Sequence, residues 1–145
     1  MRKAAVIGLL VIIVVIAGAV FLNRRTIWPL EEQVTVQVQL DPTRCQEQGR
    51  DVLVAITNRS NTTVQSVNAN IEVGRKGYSN SVASDHFYSD KIMPPDAVEE
   101  YCVIRPGSQI GGMSVRDVTP FADPYRNLKD SDLTFSGKAT LVSTN

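Results

Sequence analysis

The chain has 145 residues, with 15 basic and 15 acidic side chains and two cysteines, so it can hold one folded domain and an appendage. The charges are unevenly spread, because all the acidic residues follow residue 25 and four of the basic residues precede residue 26. The part from Thr26 onward therefore has eleven basic and fifteen acidic residues, a formal net charge of −4. Since no basic cluster larger than Arg75-Lys76 occurs there, this part lacks the electrostatic surface of nucleic-acid-binding proteins, and we predict no nucleic-acid partner.

The N-terminal segment is strongly apolar. Nineteen consecutive residues, Ala4–Leu22, carry no charged or strongly polar side chain, and as a helix they would span roughly 28 Å, close to the thickness of a bilayer core. We predict that residues 1–25 form a signal anchor with one transmembrane helix. The alternative is a cleaved signal peptide, for which Ala17-Gly18-Ala19 would be the cleavage site. The apolar run continues past that site to basic Arg24 and Arg25, which favours an uncleaved anchor.

Charge and cysteine content predict where the rest of the chain lies. Two basic residues flank each end of the apolar run, and the free N-terminal amine favours a cytoplasmic N-terminus. Cys45 and Cys102 both follow the anchor, and two cysteines in a small exported domain fit one disulfide. The alternative is a pair of reduced cysteines in a cytosolic domain. We predict a single-pass protein of the bacterial inner membrane with its C-terminal domain in the periplasm.

Residues 26–33, TIWPLEEQ, are predicted to be a juxtamembrane linker. Trp28 lies just beyond the apolar run, where interfacial aromatic residues contact lipid headgroups. Together with Arg24 and Arg25 it is a predicted membrane-interface residue, and the lipid bilayer is a predicted partner. Packing of Trp28 on the folded domain is an equally good interpretation.

The pattern changes to a period of two at Val34. Residues 34–40, VTVQVQL, alternate apolar and polar side chains, which predicts a half-buried antiparallel strand. Residues 51–57, DVLVAIT, are apolar on both faces and predict a central strand that is covered on both sides. The polar stretch NRSNTT follows at 58–63, and residues 67–73 alternate again. We interpret the polar stretch as the turn of a hairpin between these two strands.

The second half of the chain is less regular. Residues 97–104 and 133–142 predict two more strands, whereas 74–97 is rich in turn residues, with one weak strand around Val82. Residues 105–132 are weakly patterned, and only MSVRDV (113–118) favours a strand. Because several short strands are separated by turns and no helical repeat of apolar residues follows Leu22, we predict one N-terminal transmembrane helix plus an all-β, antiparallel β-sandwich over residues 34–145.

Two stretches resemble a known family. VLVAITNRSNTTVQSVNANIEV (52–73) and KIMPPDAVEEYCVI (91–104) are similar to segments of the small bacterial immunoglobulin-like modules called FxLYD or late-embryogenesis-like domains, which are often displayed behind one membrane helix. The resemblance covers about half of the chain. Two departures are VGRKGY (73–78), where the family has an aromatic-rich end, and Pro94-Pro95, where it has Pro-Gly. The resemblance implies a sandwich fold with a binding or scaffold role and no catalytic residue.

The two cysteines make the sharpest structural prediction. Cys45 lies in a loop before the predicted central strand, and Cys102 lies within a late strand. A bond between them would close a long loop at the edge of the sandwich and would stabilise the fold by about 4 kcal/mol in the chain-entropy model. A redox-active pair is disfavoured because the chain has no C-x-x-C motif.

Reactive chemistry has little support in the sequence. The single histidine, His86, lies between Asp85 and Asp90 in a polar stretch, which is more typical of solvated side chains than of a metal site. The chain has no nucleophile elbow and no phosphate loop, and Glu99 and Glu100 would face opposite sides of a strand. We predict no catalytic, cofactor-binding or metal-binding residues and no enzymatic activity.

The function predicted from the sequence is docking. We expect a single-span, membrane-anchored accessory or assembly subunit of a larger envelope or membrane protein complex, with 105–132 as a candidate docking loop. A periplasmic binding module for a small ligand or an envelope polymer is the first alternative. An enzyme whose site forms around His86, Asp85 and Asp90 is the second.

Overall fold

The computed structural model describes residues 29–46, 50–110, 113–114 and 123–144. Residues 1–28, which hold the predicted anchor with Arg24, Arg25 and Trp28, lie outside these ranges. Within them, no helix is both long and apolar enough to cross a membrane. The elements in chain order are α1 (Leu30–Gln33), β1 (Val34–Leu40), β2 (Arg50–Asn58), β3 (Val64–Arg75), β4 (Ser81–Ser89), β5 (Val98–Ile104), β6 (Gln109–Ile110), β7 (Met113–Ser114) and β8 (Leu133–Thr144).

The described part of the chain is mostly β structure in two antiparallel, three-stranded sheets. Sheet I has the order β1-β2-β5 and sheet II the order β4-β3-β8, while β6 and β7 form a short hairpin. This arrangement is consistent with the predicted β-sandwich. The strand predicted at 34–40 is β1, and the predicted central strand is β2, which lies between β1 and β5 with Val52, Leu53 and Val54 all buried.

The core lies between the two sheets. Val52, Val54 and Ile56 of β2 and Val67, Ala69 and Ile71 of β3 are among its buried members. These residues alternate along their strands because successive side chains of a strand point to opposite faces. Leu30 of α1 packs against this core, and the carbonyl of Gln33 accepts a 2.8 Å hydrogen bond from the N–H of Arg59. Residues 30–33, which the sequence assigned to the linker, thus contact the sandwich.

The predicted hairpin between β2 and β3 is wrong, because the two strands belong to different sheets. The polar stretch crosses from one sheet to the other, and the fully buried Asn58 organises the crossing. Its amide donates to the carbonyl oxygens of Met93 (2.9 Å) and Thr62 (2.8 Å), while its Oδ1 accepts from the hydroxyl of Ser60 (2.6 Å). A buried amide satisfied in this way fixes the chain at the corner.

Strand β4 is longer than the sequence indicated. The region 74–97 was predicted to be turn-rich, yet Ser81–Ser89 form a nine-residue strand paired with β3. Most of its side chains are exposed or half-buried on both faces, so it carries no clear apolar alternation. It is an edge strand, with a neighbour on one side only among the described residues. His86 therefore lies in a strand and not in a polar loop.

Strand β8 contains a bulge that changes which side chains are buried. Asn68 pairs with Leu141 and Ala69 pairs with Ala139, which leaves Thr140 as an extra residue. The bulge reverses the alternation, so Leu141 is 57% exposed whereas Val142 is buried. The hydroxyl of Thr140 donates to the Asn68 carbonyl at 3.3 Å. The strand predicted at 133–142 is therefore confirmed, and the bulge turns Leu141 outward.

Candidate functional site

The disulfide joins Cys45 to Cys102, as predicted, with Cα atoms 5.4 Å apart and a sequence separation of 57. Cys102 lies on β5 opposite Leu53 of β2. Leu53 points away from the core that Val52 and Val54 face, yet it is only 4% exposed. The disulfide therefore fixes the β1–β2 loop to the outer face of sheet I. An ion pair between Arg44 and Glu100 is a second link between this loop and β5.

Strand β5 has an edge that no described residue pairs with. On β2, the N–H of Asn58 donates to Ala97 on the β5 side, whereas the N–H of Arg59 donates to Gln33 on the β1 side. Because antiparallel ladders alternate, the even-numbered residues of β2 bond to β5 and the odd-numbered ones to β1. The β5 residues opposite odd-numbered partners are Val98, Glu100 and Cys102. Their backbone N–H and C=O groups consequently face the free edge.

A cleft of about 630 Å³ lies along this edge, between β5 and the free edge of β4. Its apolar lining includes Ile71, Phe87, Tyr101 and Val103. Its polar lining includes Arg50, Asp85, His86 and Glu100. The rings of Phe87 and Tyr101 lie 5.0 Å apart between centroids, and the hydroxyls of Tyr101 and Ser89 are 2.7 Å apart. These contacts connect the two edge strands at one end of the cleft.

Asp85 is a charged residue whose side chain faces into the cleft. It pairs in register with buried Ile71, and cross-strand neighbours share a face, so its side chain points toward sheet I. Its Oδ1 accepts the N–H of His86 at 2.8 Å, and no ion pair forms with it among the described residues. Two nearby carboxylates are neutralised: Glu100 by Arg44, and Glu99 by Lys91 at 2.5 Å.

The hydrogen bond from Lys91 to Glu99 raises the pKa of the lysine above its ordinary value. The Lys91 side chain is exposed, so its ion pair with Glu99 contributes little to the stability of the fold. Among the residues that the structure describes, no cation forms an ion pair with Asp85.

A second polar cluster, centred on Arg105, lies beyond the C-terminal end of β5. Its guanidinium bonds to Asp51 (Nε to Oδ2, 3.1 Å) and to Asp130 (2.7 Å), and it lies 5.3 Å from the centroid of the Tyr125 ring. Burial alone would lower the pKa of Arg105, but the hydrogen bonds to the two carboxylates outweigh it and the pKa is raised. The cluster attaches residues 123–132 to sheet I.

Tyr125 completes this cluster. Its hydroxyl donates a hydrogen bond to the carbonyl of Pro106, a residue that also lines the cleft. Burial of the phenol raises the pKa of Tyr125 to about 12. The sequence offered no motif for the cluster, because Asp51 and Arg105 are 54 positions apart and meet only in the fold.

The structure separates the residues of the second alternative. Asp85 and His86 point to opposite faces of β4, since their partners are Ile71 and Asn70, and Asp90 follows the end of the strand. Among the described residues, no group of three metal-ligating side chains occurs. Comparison with protein-family models, with curated proteins and with solved structures found no match to this chain.

Proposed function

We propose that this protein is a single-span, membrane-anchored accessory or assembly subunit, which docks its immunoglobulin-like domain on a larger membrane or envelope protein complex. The apolar segment Ala4–Leu22 confines the domain to the membrane surface. The disulfide between Cys45 and Cys102 supports an oxidising compartment, which for a bacterial inner-membrane protein is the periplasm.

The observation that carries the proposal is the open side of the sandwich, by which we mean the cleft with the two strand edges that flank it. A free strand edge beside an apolar cleft is a common place for a partner to bind. Catalysis has less support, because the one histidine points to the face of β4 opposite Asp85. We propose that the protein is not an enzyme and needs no cofactor.

Purification of the full chain in mild detergent tests this proposal. Gel filtration should give a discrete complex of constant stoichiometry, far larger than the 15.9 kDa chain in its micelle. A lone monomer at every detergent concentration would contradict docking.

Two matched substitutions locate the docking surface. Asp85→Lys places a lysine in the cleft, and Ser136→Lys places one at an exposed position of β8, in register with Glu72 on the far side of sheet II. We expect the first to dissociate the complex and the second to leave it intact. Equal effects of the two substitutions would show that the open side is not the docking surface.

The second candidate is a binding module for a small ligand or an envelope polymer. The volume of the cleft, about 630 Å³, is within the range of small-molecule sites, roughly 300–1,000 Å³. Its long opening between two strand edges favours an extended occupant over a compact one. A monomer that binds a periplasmic extract of small molecules, detected by native mass spectrometry, would favour this candidate.

A further inference from the structure

The free edge of β5 specifies the chemistry of its partner. Along it, the backbone groups of Val98, Glu100 and Cys102 present donors and acceptors at every second residue. Only another extended backbone repeats donors and acceptors with that spacing, so an unpaired strand edge is a template for one more strand. A small ligand could satisfy one or two of these groups but not the row.

The cleft gives such a strand room for its side chains. A strand added beside β5 would extend sheet I, and every second side chain would point toward sheet II, which packs about 10 Å away. On that side lie the ring of Phe87, in contact with Tyr101, and the carboxylate of Asp85. Phe87 and Asp85 are two residues apart on one face of β4, which matches the two-residue period of an added strand.

The charge of Asp85 favours a basic side chain at the position of the added strand that lies opposite it. Glu99 and Glu100 already have cations, whereas Asp85 has none among the described residues. A lysine or arginine in the added strand would neutralise it inside a partly enclosed cleft, where such a pair is stronger than on an open surface. An apolar side chain two residues away would then meet the rings of Phe87 and Tyr101.

We propose that β5 is a strand-addition site, which binds an extended peptide segment with a basic residue and an apolar residue two positions apart. The segment pairs with the backbone of Val98, Glu100 and Cys102, and its basic side chain binds Asp85. The inference rests on the proposed function for the source of the segment, which is the partner complex, but the chemistry of the site is independent of it.

A synthetic peptide tests the site directly. The probe is a blocked heptapeptide, Thr-Lys-Thr-Val-Thr-Val-Thr, with a fluorophore, and its length equals the seven residues of β5. Fluorescence anisotropy with the full chain in detergent micelles should show saturable binding. Replacing the lysine by glutamate should weaken binding about ten-fold or more, because it places two carboxylates together.

A backbone-modified control separates strand pairing from side-chain contact. N-methylation of the third and fifth residues keeps every side chain but removes two N–H donors, and we expect about a ten-fold loss of affinity or more. Equal binding of the methylated peptide, or no saturation at millimolar peptide, would overturn the proposal.

Two substitutions at Glu100 test strand pairing from the side of the protein. Glu100→Pro removes one N–H that faces the free edge, a position where edge strands tolerate proline. Glu100→Ala removes the same carboxylate and its ion pair with Arg44 but keeps the N–H. We expect the proline variant to lose peptide affinity about ten-fold relative to the alanine variant. Equal affinities of two variants with intact disulfides would overturn the proposal.

Two independent measurements distinguish strand addition from the proposed accessory-subunit function. Peptide binding by the full chain tests strand addition, whereas the size of the purified complex tests docking. Saturable peptide binding by a protein that is always a monomer would support strand addition and contradict the accessory-subunit function. A stable complex with no peptide binding would support that function and contradict strand addition. If Glu100→Pro fails to fold, the methylated peptide decides.

Discussion

The two long sides of the sandwich are built in opposite ways. On the closed side, which we define as the contact of β1 with β8, sheet I and sheet II approach closely at Gly137. A Cβ atom at Gly137 would lie 2.6 Å from Val36 Cγ1 and 2.6 Å from Val38 Cγ2. The glycine therefore lets the valines of β1 pack directly on the backbone of β8.

The open side, like the closed side, is formed by one edge strand of each sheet, but the side chains of its strands differ. Tyr101 and Phe87 connect β5 and β4 at one end, and Asp85 occupies an inward-facing position of β4 where an aliphatic residue would extend the core. Ion pairs of Glu99 and Glu100 flank the exposed edge. Within one sheet topology, the side chains therefore decide which side becomes core and which side can receive a partner.

The largest expected effect comes from removing the covalent link on the open side. Replacing Cys45 and Cys102 by alanine frees the β1–β2 loop and should lower the free energy of unfolding by about 4 kcal/mol in the chain-entropy model. Urea denaturation of the variant and of the wild type measures the difference, and the reduced wild type should match the variant. An unchanged urea midpoint would show that the loop is held by other contacts, such as the ion pair between Arg44 and Glu100.

The next effect tests the closed side. Gly137→Ala forces a methyl group into the valines of β1 and should cost about 2 kcal/mol. Combining it with Val38→Ala removes one of the opposing methyl groups, so the double variant should lose less than the sum of the single variants, by about 1 kcal/mol. Ser136→Ala, at an exposed neighbour, is the control and should change stability by less than about 0.5 kcal/mol. A stable Gly137→Ala variant would contradict the close approach.

Most of the strands could be predicted from the sequence because half-buried strands alternate apolar and polar residues. The range 34–40 is β1, as predicted. Strands β3, β5 and β8 overlap the predicted ranges 67–73, 97–104 and 133–142, and β2 lies where the stretch that is apolar on both faces predicted a central strand. Strand β4 was predicted only as one weak strand around Val82, because both of its faces are largely exposed and carry no clear apolar alternation. The hairpin prediction failed for another reason. The polar stretch crosses between the sheets because Asn58 bonds to Met93, which is 35 positions away in the sequence.

The candidate site could be predicted only in part. The pairing of Cys45 with Cys102 followed from there being two cysteines in a predicted exported domain. The cleft could not be foreseen, because its lining comes from β2, β3, β4 and β5 and from Pro106. The positions of Asp85 and His86 depended on recognising β4 as a strand, since only the register with β3 places one carboxylate inward and the imidazole outward.

A smaller effect tests the cluster beside the open side. Burial raises the pKa of Tyr125 to about 12, whereas the ordinary value is 10.0. Below pH 10 the phenol is neutral in both the folded and the unfolded chain, so its contribution is constant. Between pH 10 and 12 the unfolded chain releases the proton first, and the free energy of unfolding should fall by on the order of 1–2 kcal/mol.

Urea denaturation of the wild type and of Tyr125→Phe, from pH 8 to pH 12, measures this effect. The variant loses the hydrogen bond to Pro106 and should be less stable by about 1 kcal/mol at pH 8. The difference between the two proteins should shrink above pH 10, because only the wild type has this phenol to ionise. A constant difference over the whole range would show that Tyr125 is not buried as the structure has it.

The smallest expected effect is that of Asp85→Ala. This substitution places alanine on the open side, as Gly137→Ala does on the closed side, so the two sides can be compared directly. Asp85→Ala should change the free energy of unfolding by less than about 0.5 kcal/mol, since the carboxylate is exposed and, among the described residues, accepts the N–H of His86 alone. Alanine at Gly137 should cost several times more. If Asp85→Ala costs more than 1 kcal/mol in urea denaturation, the open side is part of the packed core and its cleft is not available to a partner. A stable Asp85→Ala variant with weakened binding of the lysine peptide would instead separate the two roles: Gly137 maintains the fold, and Asp85 is kept for recognition.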